Sequence, residues 1–464
     1  MSRFNTTRST KTVNKAGGEA FVMSGEMELV HAVMTTFLND KYYESGADRM
    51  NRIRTLIKSN KPEFVAKLAL VARTEYHLRS VSHLLIGELA KTHKGDDLIK
   101  RTMERSIIRP DDMLEICALV GKPLPKQVKR GIRHALLKFD RYQLAKYRGE
   151  GKDWSLVDVF NVCHPNPKFA NREQKKAWKD LMTGKLVSID TWESELTKNP
   201  SRETWEKLIN EGKLGYMAML RNLNNFVKYG VPEDKVISFL TDRENVKKSK
   251  QLPFRFYTAY QNVKGNRKYS DAIAVAMDLA VDNAPSFDGK TLIAVDTSGS
   301  MTSGEDSPIT KAAIFAATLL KKNVGADVVL YDTSIKEFRS TSLSPVVVLA
   351  EKIIGDAMGG GTETGLVFDY ARKRGIAYDR IIILSDNESW NEGYGGVQAR
   401  YNEYRRIVGA EPFVYAVDIQ GYGTKDVSSS KVFNLTGWSD RLLDFIKVAE
   451  QGKSVIDYIK SVKL

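Results

Sequence analysis

The sequence predicts a two-part fold, in which an all-α module precedes a doubly wound α/β domain. Residues 25–283 carry apolar side chains at helical spacing with almost no strand-like alternation, whereas strands and helices alternate beyond residue 286. The apolar segment Leu292–Val295 runs into Asp296-Thr297-Ser298-Gly299-Ser300, which is typical of a buried parallel strand that ends in a ligand-binding loop. The expected bounds are 1–24 for a flexible arm, 25–285 for the helical domain and 286–464 for the α/β domain.

The helical part begins with an apolar face over Met27–Leu38, and its later segments are joined by residues that favour turns. A proline in the first turn marks the helix that begins at Pro62. Many short helices without a long heptad seam favour an α-solenoid, and a compact helical bundle is the alternative. Further helices are expected over Ser80–Leu89, Asp111–Leu119, Pro125–Phe139, Arg202–Ile209, Leu214–Val227, Pro232–Leu240 and Ser270–Val281.

The α/β part follows a loop-rich stretch at residues 282–289. Apolar runs too short for helices alternate with longer amphipathic segments, which predicts a parallel sheet covered by helices on both faces. The expected strands are Thr291–Val295, Ala326–Tyr331, Arg380–Leu384, Pro412–Val417 and Lys431–Asn434. The expected helices are Pro308–Lys322, Pro345–Ile354, Val397–Val408 and Arg441–Glu450.

Oxygen-bearing side chains gather at the ends of two of these strands. Asp296, Ser298 and Ser300 follow the first strand at alternate positions, and Asp386 follows the strand Arg380–Leu384. Thr362 adds a hydroxyl directly after three consecutive glycines. Such hard oxygen ligands suit Mg²⁺, or another divalent cation such as Mn²⁺, rather than zinc. A structural site that holds no ion is the alternative.

The order and strand context of these segments resemble the metal-ion-dependent adhesion site of von Willebrand factor A domains. The resemblance implies that Ser298 and Ser300 ligate the metal directly, with Thr362 ligating directly or through water. Asp296 and Asp386 would hold coordinating waters. It also implies an open position that takes a carboxylate from a partner protein, so that the site would dock a protein rather than catalyse a reaction.

The excess positive charge is confined to the helical part. The whole chain carries a formal net charge of +14, while residues 286–464 carry −2, so that residues 1–285 carry +16. This asymmetry favours a polyanion as the partner of the helical part.

Composition sets the expected compartment. Cys117 and Cys163 lack a metal-type spacing and lie in apolar segments, which is typical of reduced core cysteines. No run of about 18 apolar residues occurs, and the start of the chain, Met1–Lys15, is polar and basic. We therefore expect a cytoplasmic monomer with no membrane association.

One helical segment, Lys126–Lys138, carries cations at spacings of three and four opposite an apolar stripe. The stripe consists of Val128, Ile132, Ala135, Leu136 and Phe139. The cationic face is able to follow a phosphate backbone, and an ordinary solvated face is the alternative. Tyr142 and Tyr147 continue the segment, where they either stack on unpaired bases or cap the core.

A succession of motifs along the chain resembles the TROVE module of the Ro autoantigen proteins, which pair that module with a C-terminal von Willebrand A domain. The motifs are Gly17–Phe21, Lys41–Gly46, Ala66–Arg73, Trp154-Ser155, Phe160–Pro165, Met217–Leu223 and Leu252–Phe256. Ro-like proteins fold the helical part into a closed ring of HEAT-like repeats, so the resemblance implies a toroid bridged by the A domain.

The resemblance also implies the partners. A small stem-loop non-coding RNA, a Y-like RNA, would bind the basic outer surface, and single-stranded ends of misfolded RNA would enter the central hole. An exoribonuclease would be the protein partner. The residues predicted to bind RNA are Lys126, Lys129, Arg130, Arg133, His134, Lys138, Arg141 and His164. A structural role beside a proline turn is the alternative for His164, and Arg221 with Asn222 is expected to buttress a helix junction.

The sequence therefore favours a non-catalytic RNA-binding scaffold that supports RNA quality control. A two-metal nuclease needs clustered carboxylates, whereas the predicted direct ligands here are mostly hydroxyls. Residues 355–361 are rich in glycine but lack the Gly-Lys-Ser/Thr ending of a phosphate loop. The alternative function is a metal-dependent protein-adhesion module without a specific RNA ligand.

Overall fold

The computed structural model describes sixteen stretches of the chain, and these support all that follows. They are residues 11–13, 19–21, 25–35, 46–186, 191–263, 265–304, 307–341, 343–386, 389, 396–420, 426–429, 431–436, 443, 446, 450 and 455–464. Residues 41–45 of the motif 41–46, most of the predicted arm and most of the predicted helix 441–450 lie outside the described residues.

The chain divides into two compact units. The first, here called the helical unit, comprises Gly25–Thr36, Asp40–Glu195 and Ser454–Leu464. The second, here called the mixed unit, comprises Met1–Ser24, Phe37–Asn39 and Leu196–Lys453. The chain thus returns to the helical unit after its α/β part, while the bounds 1–24, 25–285 and 286–464 stay predictions.

The helical unit is built from short helices. In chain order they are α1 Gly25–Thr35, α2 Gly46–Ser59, α3 Pro62–Thr74, α4 Arg79–Thr92, α5 Leu98–Ser106, α6 Pro110–Val120, α7 Lys126–Leu136, α8 Arg141–Lys146, α9 Leu156–Cys163 and α10 Arg172–Met182. Helix α3 packs on α4 and α5, α4 packs on α6, and α7 packs on α5 and α9. The next helix, α11, spans Trp192–Lys198, and the chain passes from the helical unit to the mixed unit within it, between Glu195 and Leu196.

The last helix of the chain, Val455–Ser461, also packs on α3 and is numbered α24 below. The Tyr458 hydroxyl donates to Glu75 over 2.6 Å, and the Lys67 ammonium donates to the carbonyl oxygen of Lys460 over 2.7 Å. Lys460 in turn lies 2.7 Å from Glu26. These contacts anchor the end of the chain within the helical unit.

A buried ionic network joins α3, α4 and α6. The carboxylate of Asp112 is fully buried, and it accepts from Arg79 over 2.7 Å and from Arg73 over 3.0 Å. It also accepts from two backbone amides at the start of α6, those of Ile108 and Arg109. Because a buried carboxylate is stable only when its lone pairs are satisfied, Arg73 has a structural role in its motif.

The longest segment of the mixed unit, Leu196–Lys453, begins with a series of helices. They are α12 Arg202–Asn210, α13 Tyr216–Arg221, α14 Leu223–Lys228, α15 Glu233–Thr241, α16 Arg243–Ser249, α17 Pro253–Asn262 and α18 Arg267–Ala280. Two three-residue strands near the start of the chain, β1 Lys11–Val13 and β2 Glu19–Phe21, pair antiparallel. No helix within the described stretches combines the length and hydropathy that crossing a bilayer requires.

Six further strands of the mixed unit form one sheet in the order β5-β4-β3-β6-β7-β8. They are β3 Thr291–Asp296, β4 Asp327–Tyr331, β5 Ile335–Glu337, β6 Arg380–Ser385, β7 Phe413–Asp418 and β8 Val432–Thr436. Every neighbouring pair is parallel except β4 and β5. The intervening helices are α19 Gly299–Thr302, α20 Pro308–Lys322, α21 Val346–Gly355, α22 Gly365–Arg374 and α23 Gly396–Val408.

All residues of β3 and β6 are buried, because helices cover both faces of the sheet. The doubly wound α/β architecture predicted for this part is therefore present. The antiparallel edge strand β5 was not predicted.

Candidate functional site

The first candidate site lies where the strand order of the sheet reverses. Strand β3 is flanked by β4 on one side and β6 on the other, and all three run parallel. The crevice outside the carboxyl ends of such strands is the usual ligand site of an open α/β sheet. Asp296 is the last residue of β3, and Asp386 follows the last residue of β6. Both carboxylates are fully buried.

Two hydrogen bonds fix the Asp296 carboxylate. Its Oδ1 accepts from the backbone N–H of Ser298 over 2.9 Å, and its Oδ2 accepts from the Ser385 hydroxyl over 2.6 Å. Burial, and after it the neighbouring Asp386 carboxylate, raises the pKa of Asp296 well above its usual range. Two buried carboxylates close together favour either a shared proton or a bound cation.

The two serines of the motif lie side by side. Their Oγ atoms are 3.2 Å apart, with Ser298 buried and Ser300 exposed. Thr297, between Asp296 and Ser298, turns the other way and donates both its N–H and its hydroxyl to the carbonyl oxygen of Tyr331. Alternate residues therefore share one side of the loop, as the spacing of the motif predicts.

The glycine loop is joined to this strand end by backbone hydrogen bonds. Gly359 N–H donates to the Thr297 carbonyl and Gly299 N–H donates to the Gly360 carbonyl, each over 2.8 Å. A Cβ on Gly360 would lie 2.5 Å from Oδ2 of Asp332, so the close approach requires glycine there. Thr362 follows this loop and is buried.

Two residues of this site, Asp332 and Ser385, were not predicted from the sequence. Asp332 follows β4, is buried, and accepts from Gly360 N–H over 3.1 Å and from Ser334 N–H over 2.7 Å. Ser385 ends β6 and donates to Asp296. The signal for Asp332 was its position, because it directly follows a predicted strand that neighbours β3.

The donor set at this crevice is dominated by hydroxyls. No group of three or more His, Cys, Asp or Glu side chains with metal-binding geometry occurs in the part of the chain that the structure describes. A cation here would therefore depend on Ser298, Ser300 and Thr362 as well as on the two carboxylates. Hard hydroxyl and carboxylate oxygens at the ends of two neighbouring strands fit Mg²⁺ or Mn²⁺.

The second candidate site is the exposed face of α7. The predicted apolar stripe, Val128 to Phe139, is buried throughout. Gly131 lies in the same stripe, where an added Cβ would be 2.9 Å from Cβ of Met103 on α5. This close approach fixes α7 against its neighbour and turns its cations outward.

The eight residues predicted to bind RNA fall into two groups, those with and those without hydrogen-bond or ion-pair partners among the described residues. Lys126 and Arg130 are exposed and Lys129 is half-buried, and no described residue forms an ion pair with any of the three. They lie at positions i, i+3 and i+4 and therefore share one face of the helix. These three cations are available to a ligand.

The other cations of the set have partners. Arg133 Nε donates to the Cys163 carbonyl over 2.5 Å, and the Lys138 ammonium donates to the carbonyls of Glu104 and Ile107. Burial lowers the pKa of Lys138. His134 lies 3.1 Å from the carboxylate of Glu104, and Arg141 lies 2.5 Å from that of Asp180. Acidic groups from α5 and α10 thus approach a face that has almost no acids in its own segment.

His164 lies beside this face because α9 ends there. Its backbone adopts the left-handed conformation, with φ 50° and ψ 64°, and its N–H donates to the Phe160 carbonyl. The bond from Arg133 to the preceding carbonyl joins this helix end to α7. The two segments predicted separately to bind RNA are therefore adjacent.

The aromatic residues near this face differ in access. Tyr142 is 50% exposed, whereas the Tyr147 ring packs under the Arg109 guanidinium at 4.5 Å. Phe169, five residues beyond His164 in the sequence, is 75% exposed. Exposed rings beside cations are suited to stacking on unpaired bases.

Known families match most of the chain. The TROVE domain family matches residues 30–185 and 182–268, and the Ro60 vWA domain family matches residues 290–448. The resemblance to Ro-type proteins drawn from the sequence motifs is thereby confirmed.

Three curated relatives illustrate the range of similarity. RNA-binding protein RO60 of Caenorhabditis elegans is 26% identical over 275 residues, which cover 54% of this chain and 42% of that protein. RNA-binding protein RO60 of Deinococcus radiodurans is 26% identical over 350 residues, which cover 63% and 65%. Telomerase protein component 1 of Rattus norvegicus is 23% identical over 292 residues, which cover 44% and 11%. Each match spans less than two thirds of the relative's own length.

A solved structure shares the fold. The crystal structure of the Deinococcus radiodurans Ro (RSR) protein aligns with a TM-score of 0.66 at 17% sequence identity, covering 92% of this chain and all of that one. The predicted fold class, a helical module combined with a von Willebrand A domain, is confirmed by this likeness.

Proposed function

The chain belongs to the TROVE-domain family, and on that basis we propose that it is an RNA-binding scaffold of the Ro type. The observation that carries the proposal is the group of three cations on α7, Lys126, Lys129 and Arg130, for which the described residues provide no ion-pair partner. Two of its relatives are named as RNA-binding proteins. The excess charge of +16 over residues 1–285 points to the same class of ligand.

Binding would depend on neutralisation of RNA phosphates by cations on a helix that is packed into the core. Helix α7 is held by its buried stripe, so the backbone that carries its cations is fixed before a ligand arrives. Each phosphate contact releases a counterion, so affinity should fall steeply with salt. Such a surface selects RNA by shape more than by sequence.

We propose a small stem-loop, Y-like RNA as the ligand of this surface. His164, which lies next to α7, would extend the contact beyond the helix. Single-stranded ends of misfolded RNA would enter the central hole that the family resemblance implies. An exoribonuclease would act as the catalytic partner of this non-catalytic scaffold, in the cytoplasm.

We further propose that the crevice at the ends of β3 and β6 holds Mg²⁺ or Mn²⁺. Ser298, Ser300 and Thr362 would offer hydroxyl oxygens, and Asp296 and Asp386 would balance the charge. The bound ion would supply an open position for a carboxylate of a partner protein. The second candidate function is a metal-dependent adhesion module. The observation that favours it is the pair of buried carboxylates, Asp296 and Asp386.

Recovery of the protein from its native cells at low salt, followed by sequencing of the bound RNA, tests the proposed function. Enrichment of one small stem-loop RNA is the expected result. Random RNA that washes off at moderate salt would contradict it and would leave metal-dependent protein docking as the function.

A further inference from the structure

A second helix of the helical unit carries a basic face. On α10, Arg172–Met182, four cations occupy positions i, i+3, i+4 and i+7 and therefore share one side of the helix. These four exposed residues, here called the α10 stripe, are Arg172, Lys175, Lys176 and Lys179. From the rise per residue of an α-helix the stripe is about 10 Å long, which is enough to face about three successive phosphates of one strand of a duplex.

The opposite side of α10 is packed into the core. Ala177, Trp178 and Leu181 are buried, and the Trp178 ring meets the ring of Phe160 on α9 edge-on, with centroids 5.3 Å apart. Asn171 caps the start of the helix, since its side chain accepts from the backbone N–H at position 174. The backbone that carries the stripe is therefore fixed, and its cations face solvent.

The two acidic residues of α10 do not neutralise the stripe. The Asp180 carboxylate pairs with Arg141 on α8, and this bond, with smaller contributions from Lys176 and Lys185, lowers the pKa of Asp180. Glu173 lies about 100° around the helix from the first cation of the stripe. Among the residues that the structure describes, none forms a hydrogen bond or ion pair with the side chain of any stripe cation.

Helix α10 is attached directly to the end of α7. Nε2 of Gln174 donates to the carbonyl oxygens of Leu137 and Phe139, which follow α7, over 2.7 Å and 3.3 Å. The pair of Arg141 with Asp180 adds a second connection through α8. The α10 stripe therefore extends the basic surface that begins on α7.

The chemistry of the stripe favours the stem of an RNA over a single strand. Regularly spaced cations along one side of a helix suit the repeating charge of a phosphate backbone. The one aromatic residue of α10, Trp178, is buried, so the helix offers no ring for stacking on unpaired bases. Duplex RNA is recognised mainly by its shape and its phosphates, which is the contact that such a stripe provides.

We infer that the α10 stripe binds the phosphate backbone of the RNA stem, so that one RNA molecule spans both α7 and α10. The inference rests on the proposed RNA-binding function and deepens it, because it assigns a second phosphate-binding helix and requires a ligand with a stem long enough to reach both helices.

The test measures binding of a stem-loop RNA and of polyglutamate to the full-length protein as a function of salt. The stripe variant carries Arg172→Gln, Lys175→Gln, Lys176→Gln and Lys179→Gln, and glutamine preserves helix propensity. The matched control replaces four exposed lysines of the same unit outside both helices, Lys58, Lys61, Lys94 and Lys152, with glutamine. Both variants lose the same charge, so a difference between them reports position. Circular dichroism and thermal melting confirm that both fold, and calorimetry gives the number of RNA molecules bound per chain.

For the stripe variant alone, the inference predicts a loss of RNA affinity of about tenfold or more at low salt and a salt dependence shallower by about three to four released counterions. It also predicts one RNA per wild-type chain. Affinity and salt dependence equal to those of the control would overturn the inference and reduce the stripe to a solvated face.

Two further results would also overturn the inference. Binding of two RNA molecules per chain would show that the two helices act separately. Weaker binding of polyglutamate with unchanged RNA binding would assign the stripe to an acidic protein segment. Failure of the wild-type protein to bind the stem-loop RNA would instead contradict the proposed function.

Discussion

Arg133 on α7 donates its Nε–H to the carbonyl oxygen of Cys163, the last residue of α9, over 2.5 Å. The carbonyls at the end of a helix lack intrahelical partners, so a cation there is favoured both by hydrogen bonding and by the helix dipole. His164 follows Cys163 directly, and its left-handed backbone turns the chain away from α9. One hydrogen bond therefore assembles the proposed RNA surface from two segments about thirty residues apart.

The first prediction concerns this bond. Arg133→Gln should lower the free energy of unfolding by about 1 kcal/mol, since a half-exposed hydrogen bond to a carbonyl is lost. It should also weaken RNA binding, because both a cation and the anchor of His164 are removed. Urea unfolding and RNA titration measure the two effects.

His164→Ala is the comparison for that variant. It should weaken RNA binding with little change in stability, since the imidazole is exposed. Unchanged affinity in both variants would show that the end of α9 takes no part in RNA binding.

The second prediction concerns the metal. Asp296→Ala with Ser298→Ala should abolish bound Mg²⁺ in metal analysis and leave the affinity for stem-loop RNA near wild type. The reason is that the two changes remove a balancing carboxylate and a proposed ligand from the crevice, whereas the cations on α7 are untouched. Thr341→Ala, an exposed hydroxyl of the same unit, is the control.

Joint loss of metal and RNA binding in that variant would contradict the separation of the two sites. Full retention of Mg²⁺ would refute the metal site itself.

The third prediction tests the glycine loop. Gly360→Ala should destabilise the protein by about 1–3 kcal/mol and weaken Mg²⁺ binding, because the new Cβ would lie 2.5 Å from Asp332 Oδ2. Gly355→Ala meets nothing within 4 Å and serves as the control. Thermal melting with and without Mg²⁺ measures both effects. Equal melting temperatures and equal Mg²⁺ binding in the two variants would show that the loop accommodates a Cβ at position 360.

The fourth prediction concerns pH. His83 is buried beside Asp112 and Glu115, at 3.3 Å and 2.7 Å. Burial alone would lower its pKa, but the bonds to the two carboxylates outweigh burial and raise the pKa above 6.5. For Asp112 burial opposes ionisation, yet His83, Arg79 and the backbone N–H of Ile108 hold the pKa far below 3.8.

The directions of these two pKa shifts define the pH range in which the helical unit is most stable. A raised histidine pKa stabilises the fold fully below pH 6.5, and this contribution is lost as the pH rises through the native value. A lowered aspartate pKa stabilises the fold above pH 3.8, and this contribution is lost on acidification. The helical unit should therefore be most stable between pH 3.8 and pH 6.5 and should lose stability as the pH rises through the native pKa of His83.

Hydrogen exchange of the amides of α4 and α6, followed from pH 5 to pH 9 and corrected for intrinsic rates, reports this stability. The variant His83→Gln should lose the decline at high pH. An unchanged decline in the variant would assign it to other groups.

The sequence was sufficient for elements whose pattern is local and strong. Helix α20 spans Pro308–Lys322 in the structure as predicted, because proline opens it and two lysines close it. Strands β3 and β6 were recognisable because burial on both faces requires continuous apolar runs. The predicted residues at their carboxyl ends meet in one crevice because the two strands are neighbours and parallel.

The sequence was insufficient where a feature depends on distant residues. The edge strand β5 has three residues and two charges, which carry no strand signal. The pairing of Arg141 with Asp180 joins residues 39 positions apart, so no local pattern reports it. The return of α24 to the helical unit likewise depends on contacts with α3 from the other end of the chain.

The proposed function depends above all on RNA binding by Lys126, Lys129 and Arg130 of α7. The most direct test is the affinity of the triple variant Lys126→Ala, Lys129→Ala and Arg130→Ala for a stem-loop RNA, measured as a function of salt. The control replaces three exposed lysines of the mixed unit, Lys228, Lys247 and Lys248.

For the triple variant alone, we expect a loss of affinity of about tenfold or more at low salt, and a salt dependence shallower by about two to three released counterions. Equal affinity and equal salt dependence in the triple variant and the wild type would contradict it, and would reduce this face of α7 to a solvated surface.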